Sequence, residues 1–420
     1  MQSNKLSVFK EFLWSLFVCV LLTNLAFAAS DLNYKKSYLQ QISNTTKVKM
    51  LTSLMWIALV VPSPKPEIVT LLINAGADVN SKNANGLTPL MLAVHHNPIP
   101  EVITALIEAG ADVNAQCKDK ATPLIYALFE VSNPEIITIL INAGADVNAI
   151  IEDDGISPLI LAADNTNPEI ITMLINAGAN VNEKDAKNFT PLMTAAHNPN
   201  TRIISILINA GADVNAKNVG GLTPLMEAAF YNQNPDAITT LVSAGADVNA
   251  KTISNEFTPL IMATSVGLFN PEVIIALINV GADVNAKAKG GYTPLMRAAS
   301  YKTPEVITAL IEAGADVNAK NEDEKTPLMF AAKENHDPES VTALFQFGAD
   351  VNTRDLLGRT PLMLAARFNS NPEVIKALIE NGADPKAKDN SGKMAIDYAK
   401  ENMHLDNADT IQKLEEVSYD

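Results

Sequence analysis

A Thr/Ser-Pro-Leu tripeptide recurs along most of this chain at intervals of 33 to 35 residues. Its clear copies begin at Thr88, Thr122, Ser157, Thr190, Thr223, Thr258, Thr293, Thr326 and Thr360. Weaker copies, Thr52-Ser53-Leu54 and Lys393-Met394-Ala395, extend the series to about eleven units with atypical ends. A unit of this length cannot close a core alone and buries its apolar face on its neighbours. The 420 residues therefore predict a linear stack of repeats, and not two or three separate globular domains.

The residues within one unit predict two helices and a turn. Thr suits a helix N-cap and the following Pro suits the first helical position, after which the chain continues as Leu-Met-x-Ala-Ala, as at residues 362–366. A second helix start follows, usually Asn-Pro-Glu, as at residues 133–135. This helix ends at a glycine such as Gly144, which tolerates the left-handed conformation. Polar residues then lead to the next unit and indicate an exposed hairpin.

The period, the order of the motifs and the turn residues resemble the ankyrin repeat, a unit of about 33 residues with a Thr-Pro-Leu-His-x-Ala signature. The resemblance runs from about Thr52 to the C-terminus, where residues 392–400 are similar to a family C-terminal cap. It implies an all-α ankyrin-repeat solenoid of helix-loop-helix units joined by β-hairpin loops.

This sequence departs from the family signature at one position in every clear copy. An apolar residue replaces the family's His, at Met91, Ile125, Ile160, Met193, Met226, Ile261, Met296, Met329 and Met363. The hydrogen bonds that the family's His makes to neighbouring turns are therefore unavailable. We expect dispersion contacts between these apolar side chains to replace them.

The first 28 residues have the order of a secretory signal peptide. Lys5 and Lys10 precede an apolar run over residues 12–22, and Ala26-Phe27-Ala28 follows with the small residues of a cleavage site. We therefore predict export from the cytoplasm, with cleavage after Ala28.

The predicted export segment sets the domain boundaries and the compartment. A linker over residues 29–48 and a repeat domain over residues 49–420 would follow it. An uncleaved membrane anchor is the alternative, because residues 12–29 lie at the lower edge of a membrane span. Both alternatives place the repeats in a bacterial periplasm or outside the cell. Cleavage would leave Cys117 as the single cysteine, so the fold would rest on packing without an internal disulfide.

Charge and motif content argue against several classes of function. The net charge of −16, from 31 basic and 47 acidic residues, repels phosphate backbones and disfavours nucleic acid as a partner. Five histidines are spread along the chain, His95, His96, His197, His336 and His404. None has partners at a recognised zinc spacing, and motifs for a nucleophile, a phosphate loop or a metalloprotease are absent from the sequence. We predict a non-catalytic protein with no cofactor, no metal and no small-molecule substrate.

The Asp and Asn of the recurring Ala-Asp-Val-Asn segment have a structural interpretation. Each unit has one isolated pair, as at Asp112 and Asn114, whereas calcium loops place several oxygen ligands at alternate positions. We expect both side chains to bond to their own turn.

The candidate binding residues follow from the resemblance. Ankyrin proteins generally bind partners on the concave face formed by hairpin tips and first-helix ends, which implies that the two residues after each Ala pair are exposed there. Five of these eighteen positions are aromatic, and aromatic residues are common interface anchors. The alternative is that the rings fold back onto the next repeat. The predicted partner-binding residues are His95, His96, Phe129, Glu130, Phe230, Tyr231, Tyr301, Arg367 and Phe368.

The sequence as a whole predicts a non-catalytic scaffold that binds a protein outside the cytoplasm through its concave ankyrin face. It predicts no membrane contact beyond an uncleaved signal anchor. Two alternatives stay open at this point. One is an effector exported to bind a host protein, and the other is an accessory or protective subunit of an extracytoplasmic enzyme.

Overall fold

A computed structural model describes residues 43–60, 65–96, 98–130, 133–164, 167–265, 270–301, 303–402, 405 and 408–419. The predicted signal segment, most of the predicted linker and His404 lie outside these residues. The described chain forms two compact units, of which the first ends at Lys187 and the second begins at Asn188.

Each unit is a series of paired helices. The helices of the first unit are α1 (Asn44–Val60), α2 (Pro66–Asn74), α3 (Pro89–His96), α4 (Pro100–Glu108), α5 (Pro123–Glu130), α6 (Pro134–Asn142), α7 (Pro158–Asp164) and α8 (Pro168–Asn176). The helices of the second unit are α9 (Pro191–His197), α10 (Thr201–Asn209), α11 (Pro224–Tyr231), α12 (Pro235–Ser243), α13 (Pro259–Ser265), α14 (Pro271–Asn279), α15 (Pro294–Tyr301), α16 (Pro304–Glu312), α17 (Pro327–Glu334), α18 (Pro338–Gln346), α19 (Pro361–Phe368), α20 (Pro372–Glu380), α21 (Ala395–Glu401) and α22 (Ala408–Tyr419). The predicted all-α solenoid of helical repeats is confirmed.

The helix boundaries follow from the capping residues. All nine clear copies of the tripeptide start a helix at their Pro, and at Thr190 the hydroxyl accepts a hydrogen bond from the Met193 N–H at 3.3 Å. The second helices also start as predicted. At α6, for example, the Asn133 side chain accepts a hydrogen bond from the Glu135 N–H at 2.9 Å. They end at a left-handed glycine, as at Gly144 with φ of +88°.

The two weak copies of the tripeptide do not start helices where the sequence pattern placed them. Thr52 lies inside α1, which begins at Asn44, and its hydroxyl accepts a hydrogen bond from the Asp78 N–H at 2.9 Å. Without a Pro after Thr52, no residue there interrupts the helix. At the other end, the helix start lies one residue later than predicted, with Met394 at the N-cap of α21.

The predicted hairpins are present as turns. In the loop after α4, the Cys117 N–H donates to the Ala121 carbonyl at 3.1 Å, and the neighbouring Lys118 N–H donates to the Asn85 carbonyl of the preceding loop at 3.1 Å. The first bond closes the turn and the second links consecutive loops, and no β-strand is formed in the described part of the chain.

The Ala-Asp-Val-Asn segments connect the repeats through hydrogen bonds. The Asp112 carboxylate accepts from the Asn114 N–H of its own turn at 3.0 Å, as predicted. The prediction was wrong for Asn, because Asn80 reaches the next repeat. Its side-chain amide donates to the Gly110 carbonyl at 2.8 Å and accepts from the Asp112 N–H at 2.7 Å. Asn215 does the same towards Gly245 at 2.8 Å, so each such Asn satisfies a helix end one repeat further on.

Both helices of a repeat contribute to the core, the second helices through fully buried residues such as Ile136, Ile137 and Leu140. The Met or Ile that replaces the family's His is at most 6% exposed in all nine copies, which confirms that this position packs in the core. The small Ala pairs, such as Ala298 and Ala299, are fully buried and allow neighbouring helices to approach closely. In the second unit α15 packs against α17, and α17 against α19. Within the described residues, none of the helices has the length and apolar character that crossing a membrane requires.

Candidate protein-binding surface

Exposed aromatic side chains lie at the C-terminal ends of first helices in both units. Phe129 is 57% exposed at the end of α5 in the first unit. In the second unit Tyr231, Tyr301 and Phe368 end α11, α15 and α19, and they are 47%, 62% and 41% exposed. All four rings remain exposed, although the Tyr301 hydroxyl bonds to Glu334 of the next repeat, and exposed rings of this size are typical of interface anchors. We refer to Tyr231, Tyr301 and Phe368 as the ring set.

Phe230 is the one predicted aromatic residue that turns inward. Its ring is partly buried and packs with Met226, Ala250 and Met262, and it meets the Tyr231 ring edge-on at 4.6 Å between ring centres. Phe230 therefore follows the alternative prediction, in which the ring folds back onto the next repeat. Its role is to support Tyr231.

The remaining predicted residues lie at the same helix ends. His96 is exposed, and His95 is half-buried between His96 and Tyr126, with ring centres 4.5 and 5.8 Å away. Arg367 is exposed beside Phe368. Glu130 is the last residue of α5, and its side chain lies outside the described part of the molecule.

Two of the eighteen positions expected to be exposed are buried. Asn198 is 5% exposed because α9 is one residue shorter than α11, which places Asn198 at the C-cap position. Ser300 is 3% exposed, and its hydroxyl donates to the Met296 carbonyl. The positions of Asn165 and Val266 are outside the described residues.

A row of buried asparagines follows the first helices and was missed by the sequence analysis. The Asn232 amide donates at 2.8 Å to the Ala196 and Asn198 carbonyls of the preceding repeat. The Asn369 amide donates in the same way to the carbonyls of Ala332 and Asn335, at 2.9 Å each. The available signal was an Asn three residues after the Ala pair in several repeats, at Asn232, Asn335 and Asn369. These bonds fix the helix ends that carry the ring set.

Glu227 and His197 form a polar pair next to the ring set. The Glu227 carboxylate is 2% exposed, and one of its oxygens lies 2.8 Å from His197 Nε2. The other oxygen is buried and has no hydrogen-bond partner within the described residues. The His197 ring packs on Tyr231 with ring centres 4.5 Å apart. Sequence reasoning did not single out Glu227, since neighbouring repeats have unrelated residues at the equivalent position.

Cations stack on aromatic rings along the first helices of the later repeats. The Arg297 guanidinium lies over the Tyr292 ring at 4.3 Å and over the Phe257 ring at 5.7 Å. The Arg367 guanidinium lies 5.1 Å from the centre of the Phe368 ring and 5.2 Å from that of Tyr398. Such stacking orients a guanidinium through its face, so that hydrogen bonds to it are formed at its edge.

Two lysines of this region also lie over aromatic rings. Unlike the arginines, both lysines form ion pairs with carboxylates. Lys333 Nζ lies 5.4 Å from the Phe368 ring and 2.8 Å from a Glu334 oxygen. Burial pushes the pKa of Glu334 up, but its hydrogen bonds with Lys333, Ser300 and Tyr301 outweigh burial and lower the pKa overall. Lys393 lies 5.3 Å from the Tyr398 ring and pairs with Glu401. Both lysines are therefore locally neutralised.

The Tyr398 ring is itself held in place from the last hairpin. Its hydroxyl donates to the Asp389 carboxylate. Burial raises the pKa of Asp389, but hydrogen bonds from Tyr398, Ser391 and the Lys393 N–H outweigh burial and lower it to about 2. Asp389 is therefore ionised at neutral pH and keeps the ring beneath Arg367 fixed.

Within the described residues no group of three or more His, Cys, Asp or Glu side chains is arranged to hold a metal ion. Cys117 is buried and accepts a hydrogen bond from the Tyr126 hydroxyl at 3.7 Å.

The repeat geometry and the exposed helix ends define a class of protein, the helical-repeat scaffold. The family model of ankyrin repeats matches residues 54–151, 159–252, 225–321 and 328–416. This chain belongs to the ankyrin repeat family, whose members serve as protein-binding scaffolds. Among solved structures it is similar to the human ASB11 ankyrin repeat domain, at 27% identity and a TM-score of 0.49 over 55% of this chain and 100% of that chain. No curated protein matches the sequence.

Proposed function

We propose that this protein is a scaffold that acts outside the cytoplasm and binds another protein through the exposed first-helix ends. The observation that carries the proposal is the ring set, Tyr231, Tyr301 and Phe368, which lies on α11, α15 and α19 of the same unit. Phe129 is the corresponding exposed ring of the first unit.

The chemistry of this surface favours a protein as partner. Tyr and Phe rings are large and lose little side-chain entropy on binding, so they gain more from burial than flexible side chains do. Their backbone is fixed by the buried asparagines, which means that binding does not have to order the surface first. The net charge of −16 argues against a partner rich in phosphate.

The test of the binding surface is capture of a partner from the native extracytoplasmic fraction by the full chain. The variant Tyr231→Ala/Tyr301→Ala/Phe368→Ala should lose the captured protein while keeping its helical circular dichroism. The matched control is Phe347→Ala/Ile275→Ala, because both residues are exposed apolar side chains, at 37% and 40%, associated with second helices. Equal capture by the ring variant and the wild type would refute the surface.

Export is tested separately. Residues 1–28 fused to alkaline phosphatase should give an enzyme that is active outside the cytoplasm, and the N-terminus of the mature full chain should be Ala29. Deletion of residues 6–22 from the same fusion removes the apolar run and serves as the control. An inactive fusion would place the repeats in the cytoplasm and overturn this part of the proposal. An active fusion with an intact N-terminus would identify the segment as an anchor.

A further inference from the structure

Two arginines of the second unit are oriented but not neutralised. Arg297 lies on α15, and Arg367 lies on α19, with α17 packed between these helices. Neither forms an ion pair with a carboxylate in the part of the chain that the structure describes. Arg297 Nε is buried and lacks a hydrogen-bond acceptor there. Because Nε itself is buried, a ligand can contact Arg297 only through the two terminal nitrogens of its guanidinium.

Both guanidinium groups lie against the faces of aromatic rings. Tyr292 and Phe257 support Arg297, and the Tyr292 ring is itself packed against Phe330, with ring centres 5.6 Å apart. Phe368 and Tyr398 support Arg367. A guanidinium held by its face presents its N–H groups at its edge, and this is the geometry in which arginine binds a carboxylate through two parallel hydrogen bonds.

Within the described residues, Arg297 and Arg367 are basic groups without an ion-pair partner on a chain that is acidic overall. The chain has 47 acidic and 31 basic residues. In the later repeats Glu334 and Glu401 form ion pairs with Lys333 and Lys393. Asp355 forms an ion pair with Arg359, with a carboxylate oxygen 2.7 Å from a guanidinium nitrogen. Arg297 and Arg367 have no such ion-pair partner in the described part of the chain, so two unpaired guanidinium groups lie on the helices that end in Tyr301 and Phe368.

We infer that the partner segment bound by the ring set is acidic, with carboxylates that bind Arg297 and Arg367 and apolar side chains that cover Tyr301 and Phe368. This inference rests on the proposed function and specifies its partner. A carboxylate-rich protein segment fits better than a nucleic acid, because the rest of the molecule repels a long polyanion while a short acidic segment meets only this local positive region.

The first step of the test identifies a probe without knowledge of the natural partner. The full chain selects peptides from a displayed library of random twelve-residue sequences. Peptides that bind should contain more Asp and Glu than the unselected library, together with aromatic or aliphatic residues. A synthetic, fluorescently labelled copy of one selected peptide then serves as the probe for affinity measurements by anisotropy.

The second step separates orientation from charge at the two arginines. Arg297→Gln and Arg367→Gln should each weaken probe binding by about tenfold, the loss of one charge-assisted hydrogen bond. Arg367→Lys keeps the charge but loses the planar edge, and it should bind with an intermediate affinity. Arg202→Gln removes an exposed arginine of α10 and should bind like the wild type. The probe with Asn and Gln in place of Asp and Glu should not bind.

Several results would overturn the inference while leaving the proposed function to its own test. These are no peptide enrichment, enriched peptides without excess Asp or Glu, and equal binding by the two Gln variants and the wild type. Competition by inorganic polyphosphate, without competition by polyglutamate, would instead identify a phosphate-binding surface. If the ring variant still captured the natural partner, the proposed function itself would fall, whatever the arginines do.

Discussion

At the residue scale, the asparagines connect one repeat to the next. Asn80 and its equivalents satisfy the helix end of the following unit, and Asn369 satisfies two carbonyls of the preceding one. The apolar replacement of the family's His therefore does not leave the repeats joined by packing alone. Amide side chains suit this task because they both donate and accept hydrogen bonds. A buried amide that forms all of its bonds also disfavours any shifted stacking of the repeats.

We predict that Asn369→Ala strongly destabilises the second unit. Asn369 is fully buried, and its removal leaves the Ala332 and Asn335 carbonyls without a donor. The free energy of unfolding is expected to fall by about 2 to 6 kcal/mol, since each of the two buried unsatisfied carbonyls costs about 1 to 3 kcal/mol. Urea denaturation followed by circular dichroism measures the loss. The control is Asn255→Ala at an exposed hairpin position, and an equal effect of the two changes would contradict the role assigned to Asn369.

At the element scale, the second helices differ in how well their N-termini are capped. Asn133, Asn167, Asn270 and Asn371 each accept a hydrogen bond from the N–H two residues on. Lys65 occupies the same position before α2 without a capping bond. Its backbone angles, −83° and 117°, match those of Asn133, −86° and 113°. The backbone is therefore already arranged for a capping side chain.

We predict that Lys65→Asn stabilises α2 by about 0.5 to 1 kcal/mol, because it supplies the missing acceptor and removes no buried contact. Lys65 is exposed, so the change leaves the core intact. Hydrogen exchange of the α2 amides should slow relative to the wild type. Lys65→Ala, which lacks the acceptor, provides the comparison, and similar exchange in both variants would show that capping does not limit this helix.

At the scale of the whole molecule, the repeats of each unit are held by contacts between neighbours. The second unit ends with α22, which packs on α20 and α21 and buries Leu414 completely. This helix covers the apolar face that the last repeat would otherwise expose.

We predict that Leu414→Ala weakens the end of the second unit and has little effect far from it. Deleting a buried Leu side chain costs about 2 to 5 kcal/mol, and nearest-neighbour coupling confines the cost to adjacent repeats. Hydrogen exchange measured by mass spectrometry should increase in α20 and α21 but not in α9 to α11. Lys413→Ala at the exposed neighbouring position is the control. Faster exchange spread evenly over the second unit would argue for one cooperative domain.

The sequence alone determined the period, the helix starts and the helix ends, because capping by Thr and Asn, the fixed φ of Pro and the freedom of Gly act within a few residues. The same local rules failed at Thr52, where no Pro interrupts the helix, and at Met394, where the motif is degenerate.

Only the tertiary structure decided which side chains of the first-helix ends are exposed. Phe230 and Tyr231 are adjacent in sequence, yet one packs on Met226 and the other remains exposed. Asn369, Glu227 and Arg297 each contact a residue of the preceding repeat, namely Ala332, His197 and Phe257. No local pattern encodes such contacts, because they depend on how each repeat is positioned on its neighbour.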